Sequence, residues 1–224
     1  MLLRNFEAED VLEAAVESEL RRALAFGGLA PHAVMLTGGK TPLGVYRRLE
    51  CGPAAVIAGM HVIMSDERCV DQDSPQNNLR HLRGMLQANR IAAERVIAVD
   101  GGLLPQAALN EFRAGLESFI AAGGVIPLAL LGLGADGHLA GLFTREDVES
   151  QDAAVMVQRA DGLTGISAGA SVLRLAKRVI FMVKGADKQN AVDRLLEDPQ
   201  QIPAGMVYAG HSDVEIWYWQ GVRD

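Results

Sequence analysis

The sequence predicts an α/β fold, a doubly wound and mainly parallel sheet flanked by helices in a Rossmann-like arrangement. Apolar, strand-like runs alternate with amphipathic, helix-like segments almost from end to end, and aromatic residues make up only 5% of the chain. That composition suits helices packed on a parallel sheet better than a β-sandwich. Because the 224 residues contain neither a repeat nor a Pro/Ser-rich linker, we expect one domain over residues 1–224, with a small additional lobe or edge strands.

The first half of the chain begins with an amphipathic helix, because leucine and valine recur every four residues from Leu12 to Leu24 and a glycine pair follows. Residues 33–37 then form a first buried strand, which a helix through Leu49 follows. Residues 61–65 form a second strand. The remaining elements of this half are a helix near 76–88, a short strand at 95–99 and a long helix near 105–121.

The second half continues the alternation with the buried strand Val125–Leu131. Further strands are expected at 153–158, 179–183 and 213–219, with helices at 170–178 and up to about residue 196. The last strand contains both tryptophans and is placed at an edge or a lobe boundary. The polar stretch 71–78 and the irregular stretch 144–169 are interpreted as loops over a site.

The turn after the strand at 125–131 is the most informative part of the sequence. It is dense in glycine and presents Asp136 and His138 one residue apart. Ligands bind beyond the carboxyl ends of parallel strands, where a histidine can titrate near neutral pH and a neighbouring carboxylate could fix its tautomer. The alternative is a tight turn in which the histidine caps a carbonyl.

A second junction follows the first buried strand. Gly38 and Gly39 leave backbone N–H groups free at the start of a helix, which suits a phosphate, and Lys40 and Thr41 could add donors. The segment has the spacing of neither a P-loop nor a dinucleotide-binding fingerprint. The alternative is an ordinary turn between a strand and a helix.

Two further junctions concentrate charge. Asp66, Glu67 and Arg68 follow the strand at 61–65, and such charges are costly to bury unless they are paired or face a polar cleft. Arg68 could bind a phosphate or carbonyl oxygen, the alternative being a salt-bridged loop; the asparagines that follow could orient substrate hydroxyls or cap the next helix. Lys188 is expected in a first helical turn, where the macrodipole disfavours a cation. It therefore either binds an anion or is a solvated surface lysine.

We place Asn78 with Asp66 among the substrate-binding residues.

Composition excludes several other classes of function. A net charge of −7 argues against nucleic acid or an anionic membrane as partner, and no apolar stretch approaches the roughly 20 residues of a membrane helix. The amino terminus acquires acidic residues too early for a secretory signal, so we expect a cytoplasmic protein.

The cysteines and histidines indicate neither a disulfide nor a metal site. Cys51 and Cys69 have no CxxC spacing and are interpreted as reduced thiols. Nothing in the sequence identifies a histidine that would activate Cys69 as a nucleophile. The five histidines are scattered without metal-ligand spacing. We therefore expect no metal.

These motifs together resemble the 6-phosphogluconolactonase family over about Leu24 to Trp217. The motifs that carry the resemblance are TGGKTP at 37–42, DERCV at 66–70 with the asparagine pair 77–78, GLGADGHLAGLF at 132–143 and VKGADK at 183–188. The related glucosamine-6-phosphate deaminase/isomerase family usually has Asp-Glu-Tyr at 66–68 and Asn-Glu-Pro after the DGH turn. This chain continues with Gly-Leu-Phe at 141–143, so the lactonase family is the better match.

The resemblance implies hydrolysis of 6-phospho-D-glucono-1,5-lactone, a sugar-phosphate lactone, without a cofactor, by a monomer or small homo-oligomer. By that match His138 would be the general base and Asp136 would orient it. Arg68 would bind the substrate or the developing oxyanion, and Lys188 with the turn 38–41 would hold the 6-phosphate. The alternatives are an aminosugar-phosphate deaminase/isomerase, with Asp66 as a candidate base, and a non-catalytic sugar-phosphate-binding protein of the same fold.

The chain departs from the family at one informative position. Where the family has Arg-x-Thr before the short helix, this sequence has Gly165-Ile166-Ser167. In the related deaminases the equivalent arginine is a phosphate ligand. The resemblance therefore implies a missing donor, for which Lys40, Arg159 or Arg174 would compensate.

Overall fold

The computed structural model describes residues 1–221, and a parallel seven-stranded sheet runs through their centre. The strands of these residues are β1 (Leu2–Asn5), β2 (His32–Leu36), β3 (Met60–Met64), β4 (Asp66–Arg68), β5 (Val96–Ile97), β6 (Val125–Leu131), β7 (Ala154–Gln158), β8 (Thr164–Ala168), β9 (Ala176–Lys184) and β10 (Val214–Trp219).

The central sheet has the order β1-β10-β9-β6-β2-β3-β5, and every neighbouring pair is parallel. From β2 the chain moves outward through β3 to β5, and from β6 it moves outward in the opposite direction. The order of the strands therefore reverses between β2 and β6, which is where doubly wound folds place their ligands.

Helices cover both faces of this sheet, as the sequence predicts. They are α1 (Glu9–Leu24), α2 (Leu43–Cys51), α3 (Arg83–Ala88), α4 (Pro105–Ala121), α5 (Arg145–Glu149), α6 (Ala170–Leu173), α7 (Gln189–Glu197) and α8 (Pro203–Tyr208). Single 3-10 turns occur at Leu79–Leu82, Ala93–Arg95, Ala186–Lys188 and Pro199–Gln201. No helix among residues 1–221 combines the length and the apolar character needed to cross a membrane.

The core is divided by the sheet because successive strand residues point to opposite faces. In β2, Val34 and Leu36 pack in one apolar cluster with α1, α2 and α3. Ala33 and Met35 pack in a second cluster with α4, α7 and α8. All four side chains are at most 1% exposed, so β2 lies between two helical layers and its carboxyl end is held firmly.

A second, antiparallel sheet has the order β4-β8-β7 and packs against the cluster that contains α4. β4 starts two residues after β3 ends, and Asp66 to Arg68 pair with Ser167 to Gly165 of β8. The second sheet therefore begins at the carboxyl end of the first. This is the additional lobe that the sequence predicts.

Several expected elements are confirmed with close bounds, including the helix at 105–121 and the strand at 125–131. Four differ. The tryptophan-containing strand β10 lies inside the sheet, since β1, which the sequence analysis lacks, pairs with its outer side. Residues 66–68 form a strand, and the stretch 144–169 contains α5 and β8 in addition to the strand expected at 153–158, which is β7. The helix expected at 170–178 ends at Leu173, and β9 begins at Ala176.

Candidate active site

A cavity of about 180 Å³ opens where the order of the strands reverses. Its walls are the loops that follow β2, β6 and β9, together with β4 and the turn after β7. Its lining is Thr37, Gly38, Gly39, Thr41, Asp66, Arg68, Asn78, Gly132, Leu133, Gly134, His138, Ala140, Arg159 and Lys188. The four junctions that the sequence analysis identifies separately therefore meet in one place.

A larger depression of about 630 Å³ lies elsewhere, within segments 53–60 and 88–95. These segments precede β3 and β5, so the depression lies at the opposite edge of the sheet. Its lining contains no histidine. Chemistry rather than size selects the smaller cavity, because it lies beyond the carboxyl ends of the strands and brings an imidazole that is paired with a carboxylate together with three cations.

His138 is oriented by Asp136. The imidazole Nδ1 lies 2.6 Å from Oδ1 of Asp136, and the same oxygen accepts the backbone N–H of His138 at 3.1 Å. Since a carboxylate only accepts, Nδ1 carries the proton and the lone pair is on Nε2. The ring of Phe143 packs on the imidazole with 4.6 Å between ring centres. The side chain of His138 is thus held by a carboxylate and an aromatic ring, and not as a cap on a carbonyl.

Glycines create the room for this pair. Gly134 donates its N–H to the carbonyl oxygen of His138 at 2.9 Å, and a Cβ at Gly134 would lie 2.2 Å from the imidazole Nδ1. Gly137 has a φ of +92°, which L side chains rarely adopt. The glycine spacing of this turn is therefore what lets the histidine fold back over its own loop.

Asp136 remains ionised at neutral pH. Partial burial opposes its charge, but the backbone N–H and the imidazole of His138 outweigh that effect and hold the pKa of Asp136 below its ordinary value. Asp136 is more than half exposed, and it reaches the cavity only through His138. Its contacts are therefore with His138, and it does not line the cavity.

Asp66, Arg68 and Asn78 form a hydrogen-bonded group on the next wall. Asp66 accepts from the hydroxyl of Ser65 at 2.8 Å and from Nδ2 of Asn78 at 3.2 Å. Arg68 donates to Oδ1 of Asn78 and to the carbonyl of Gln76. Among residues 1–221 Arg68 has no carboxylate within ion-pair distance, so its charge is available to a ligand. The salt-bridged loop is not observed.

Glu67 faces away from the cavity and holds the wall together. Its carboxylate accepts the backbone N–H groups of Arg68, Asn78 and Leu79 at 2.9, 2.7 and 2.8 Å. Burial raises the pKa of Glu67 to about 7, and the charge of Asp66 adds to this, while the three N–H groups oppose it. The neighbouring Asn77 accepts the N–H of Arg80 and caps the turn that follows.

The glycine-rich turn at residues 37–42 lies close to the wall that contains Asn78. A Cβ at Gly38 would lie 2.1 Å from Cγ of Asn78, and Gly39 has a φ of +83°. Gly38, Gly39 and Thr41 line the cavity, as expected. Lys40 is exposed and is not among the lining residues. Its side chain at the tip of the turn points away because the flanking glycine positions, not residue 40, face the cavity.

Lys188 enters from the carboxyl end of β9. It precedes the first residue of α7 and pairs with Asp187 at 3.4 Å, with its side chain 25% exposed. The hydroxyl of Tyr218 donates to the carbonyl of Gly185 at 3.0 Å and anchors the loop. Lys188 therefore lines the cavity as expected and is not a freely solvated surface lysine.

The structure separates the remaining candidates. Arg159 lines the cavity, whereas Arg174 donates to the carbonyls of Val207 and Met206 at 3.0 and 3.3 Å. Burial and the charge of Glu67 raise the pKa of the Cys69 thiol, which is opposite to what a nucleophile needs. No group of three metal-ligating side chains occurs in the described part of the chain.

Ala140 is the lining residue that the sequence gives no means of finding. Its φ is +48°, an uncommon value for a residue with a side chain. This backbone conformation occurs in the bend between Leu139 and Leu142, which pair with each other. Only the folded turn shows that this alanine faces the cavity.

Comparison with known proteins identifies relatives over nearly the whole chain. The model of the family described as glucosamine-6-phosphate isomerases/6-phosphogluconolactonase matches residues 6–217. A 6-phosphogluconolactonase from Aggregatibacter actinomycetemcomitans is 29% identical over 197 residues, covering 84% of each chain. A 6-phosphogluconolactonase from Synechocystis is 30% identical over 203 residues, covering 86% of this chain and 83% of the relative.

Solved structures share the fold. The crystal structure of 6-phosphogluconolactonase from Thermotoga maritima superposes with a TM-score of 0.84 at 24% identity, covering 98% of this chain and 99% of that one. A monomeric glucosamine-6-phosphate deaminase superposes with a TM-score of 0.79 at 20% identity, covering 98% and 97%. Because both are less than 25% identical to this chain, they establish the architecture and leave the reaction to be argued from the site.

Proposed function

The chain belongs to the glucosamine-6-phosphate isomerase/6-phosphogluconolactonase family, and from this premise we propose how it acts. It is an enzyme that hydrolyses 6-phospho-D-glucono-1,5-lactone to 6-phospho-D-gluconate in the oxidative pentose phosphate pathway. The observation that carries this function is the imidazole of His138, oriented by Asp136, in the same cavity as Arg68 and Lys188. The curated lactonases that match the chain at 29–30% identity support the same reaction.

The reaction needs a base and a place for negative charge. His138 Nε2 removes a proton from a water molecule, whose oxygen then bonds to the lactone carbonyl carbon. The carbonyl oxygen takes up the electron pair and becomes an oxyanion. When the carbonyl re-forms, the bond from the carbon to the ring oxygen breaks, and that oxygen takes the proton back from the imidazolium. Since a lactone is already an activated acyl group, no metal or cofactor is required.

Asp136 and Arg68 support this step in different ways. Asp136 keeps the proton on Nδ1 and stabilises the imidazolium that forms. Arg68 lies across the cavity with its charge unpaired by any carboxylate of residues 1–221, and it binds the substrate or the developing oxyanion. Asn78, which Asp66 holds, fixes the guanidinium, and both residues contact the sugar hydroxyls.

The phosphate lies at the other end of the cavity. Lys188 and the turn formed by Gly38, Gly39 and Thr41 supply a cation and a glycine-rich backbone that a phosphate can approach closely. Binding energy from the phosphate orients the lactone without taking part in the chemistry. Lys40 is left out of this set because it does not line the cavity.

This function places the protein among the carboxylic-ester hydrolases. We also infer that residues 1–224 act as one domain, as a monomer or small homo-oligomer in the cytoplasm. The apolar cluster that joins the parallel sheet to the three-stranded sheet supports a single folding unit.

Hydrolysis of freshly generated lactone tests the function directly. The lactone is made enzymatically, and the rate of 6-phosphogluconate formation is corrected for spontaneous ring opening. The expected result is a corrected rate proportional to protein concentration. Ammonia release from glucosamine 6-phosphate would instead indicate a deaminase. Thermal stabilisation by 6-phosphogluconate without turnover of either substrate would indicate a binding protein.

A further inference from the structure

Arg159 is a third cation on the cavity wall, contributed by the three-stranded sheet. We propose that its guanidinium binds the substrate phosphate and that the phosphate replaces Asp161 as the partner of Arg159. This proposal rests on the proposed function. The role depends on Gly165, whose missing side chain leaves the surface of β8 open to the arginine.

The backbone fixes where Arg159 starts. It is the first residue of the turn that joins β7 to β8, with its N–H donating to the carbonyl of Leu163 at 3.0 Å and its carbonyl accepting from Gly162 at 3.0 Å. Gly162 has a φ of +82°, which the tight turn requires. The side chain is only 16% exposed, so it lies on the protein and into the cavity instead of extending into solvent.

Gly165 provides the surface on which the stem of Arg159 rests. A Cβ at Gly165 would lie 3.3 Å from Cδ and 3.5 Å from Cγ of Arg159, and 3.1 Å from Cγ2 of Val157. In the sheet Gly165 pairs with Arg68 of β4. The absent side chain thus allows the arginine to cross β8 toward Arg68, whereas a larger residue would compete for that space.

Phe143 places the guanidinium relative to the base. The guanidinium carbon of Arg159 is 5.4 Å from the centre of the Phe143 ring, a cation–π contact. The imidazole of His138 packs against the same ring at 4.6 Å between centres. One aromatic ring therefore holds both groups at a fixed separation, as a substrate with a reacting carbon at one end and a phosphate at the other requires.

The guanidinium of Arg159 pairs with Asp161. Nε of Arg159 lies 3.2 Å from Oδ2 of Asp161, whose side chain is 42% exposed. The other carboxylate oxygen accepts the N–H of Leu163 at 3.1 Å, so Asp161 keeps a partner when it gives up the arginine. A phosphate carries more charge than a carboxylate and matches the planar donors of an arginine. Exchange of one anion for the other is therefore favourable.

Steady-state kinetics with two lactones test the proposal. Arg159→Ala should lower kcat/KM for the phosphorylated lactone by about 10- to 100-fold, mainly through KM, since a hydrogen bond to a charged group is being removed. For D-glucono-1,5-lactone, which has no phosphate, kcat/KM should change by less than about two-fold. Arg159→Lys should recover part of the loss. Arg145→Ala is the matched control, because Arg145 is exposed, pairs with Glu149 and does not line the cavity.

A second variant separates binding from folding. Asp161→Asn removes the competing charge and should lower KM for the phosphorylated lactone several-fold, with kcat unchanged. Binding of 6-phosphogluconate, measured by calorimetry, should weaken in Arg159→Ala even if the protein hydrolyses no lactone. The protein can therefore be an active lactonase in which Arg159 does not bind the phosphate. Equally, Arg159 can bind the phosphate in a protein that hydrolyses no lactone.

Two results would overturn the proposal. An equal loss of kcat/KM with both lactones would place Arg159 at the reacting carbonyl instead of the phosphate. An unchanged KM and an unchanged affinity for 6-phosphogluconate in Arg159→Ala would show that the arginine only closes the turn with Asp161.

Discussion

At the scale of the residue, the proposed catalysis depends on a separation of roles between His138 and Asp136. The imidazole lines the cavity, whereas the carboxylate lies behind it and keeps the proton on Nδ1. Each group has an environment suited to one task. The adjacency of these residues in sequence is what makes the pair predictable before the fold is known.

Replacing His138 by alanine should lower kcat by about 10²- to 10⁴-fold, the usual share of general acid–base catalysis. The substitution removes the group that accepts the proton from water but leaves Arg68, Arg159 and Lys188 in place, so KM should change little. Lactone hydrolysis corrected for spontaneous opening measures the effect. His61→Ala, at the amino end of β3, is the control and should keep the wild-type rate. A near-normal kcat for His138→Ala would remove His138 from the mechanism.

The pH dependence of kcat/KM should have a falling acid limb. An imidazole accepts a proton only while it is neutral, and histidine side chains titrate between about pH 5 and 8. Because the pKa of Asp136 is lowered, that carboxylate stays ionised over this range and adds no second limb. The rate should therefore fall as pH decreases from 8 to 5, whereas a flat profile would contradict the base role.

Glu67 should make the stability of the protein depend on pH. Its pKa is raised from 4.5 to about 7 by burial, so the folded chain keeps a proton that the unfolded chain releases within that interval. The free energy of unfolding should fall as pH rises from 4.5 to 7 and then level off, by on the order of 3 kcal/mol. Glu67→Gln does not titrate and provides the reference. Chemical denaturation of both proteins across this range measures the difference, and a constant difference would count against a buried, protonated Glu67.

At the scale of the element, the turn between β6 and α5 combines two constraints at Gly137. Its φ of +92° disfavours any side chain, and a Cβ there would lie 2.5 Å from Cβ of Ile202. Ile202 precedes α8 and is completely buried. The turn that presents His138 is therefore fixed by contact with the far end of the chain.

Gly137→Ala should lower the free energy of unfolding by about 2–4 kcal/mol through strain and overpacking together. It should also lower kcat, because relief of the clash moves the residue next to His138. Gly123→Ala is the control: Gly123 has a φ of +74° but nothing within 4 Å of a Cβ, so only the strain remains. Urea denaturation of the two variants gives the comparison. Equal losses in both would show that Ile202 yields without cost.

Elements that are long and strongly periodic could be predicted from sequence, as α4 and β6 show. The three residues of β4 and the five of β8 could not. Both are strands because of pairing within the second sheet, β4 with β8 and β8 also with β7, and β8 reads Thr-Gly-Ile-Ser-Ala, without a long apolar run. The edge strand β1 has exposed residues and gains its conformation from β10. Pairing over long sequence separation leaves little local signal.

At the scale of the whole molecule, the chain has a net charge of −7 and yet gathers Arg68, Arg159 and Lys188 at one cavity. These cations are contributed by β4, by the turn after β7 and by the loop after β9. On the proposed function, an anionic substrate is bound by these local donors against an unfavourable overall charge. The fold brings the cations together because both sheets meet at the carboxyl ends of β2 and β6.

The same geometry explains which site residues the sequence could identify. Glycine-rich or charged junctions after strands identify the turn at 37–41, Asp66, Arg68, Asn78, His138 and Lys188, since the carboxyl ends of parallel strands meet at one edge. Lys40 belongs to the same turn but does not line the cavity, because a position within a turn does not fix the direction of its side chain. Arg159 could only be one of three candidates, because its orientation depends on Gly165 across an antiparallel pair.

The central claim is that one substrate spans the cavity from His138 to the cations, and a crystal structure with 6-phosphogluconate bound tests it most directly. The account predicts a carboxylate oxygen of the product within about 3.5 Å of His138 Nε2, with the phosphate against Lys188 and the turn 38–41. A product bound with its phosphate at His138, or in the depression formed by segments 53–60 and 88–95, would contradict it.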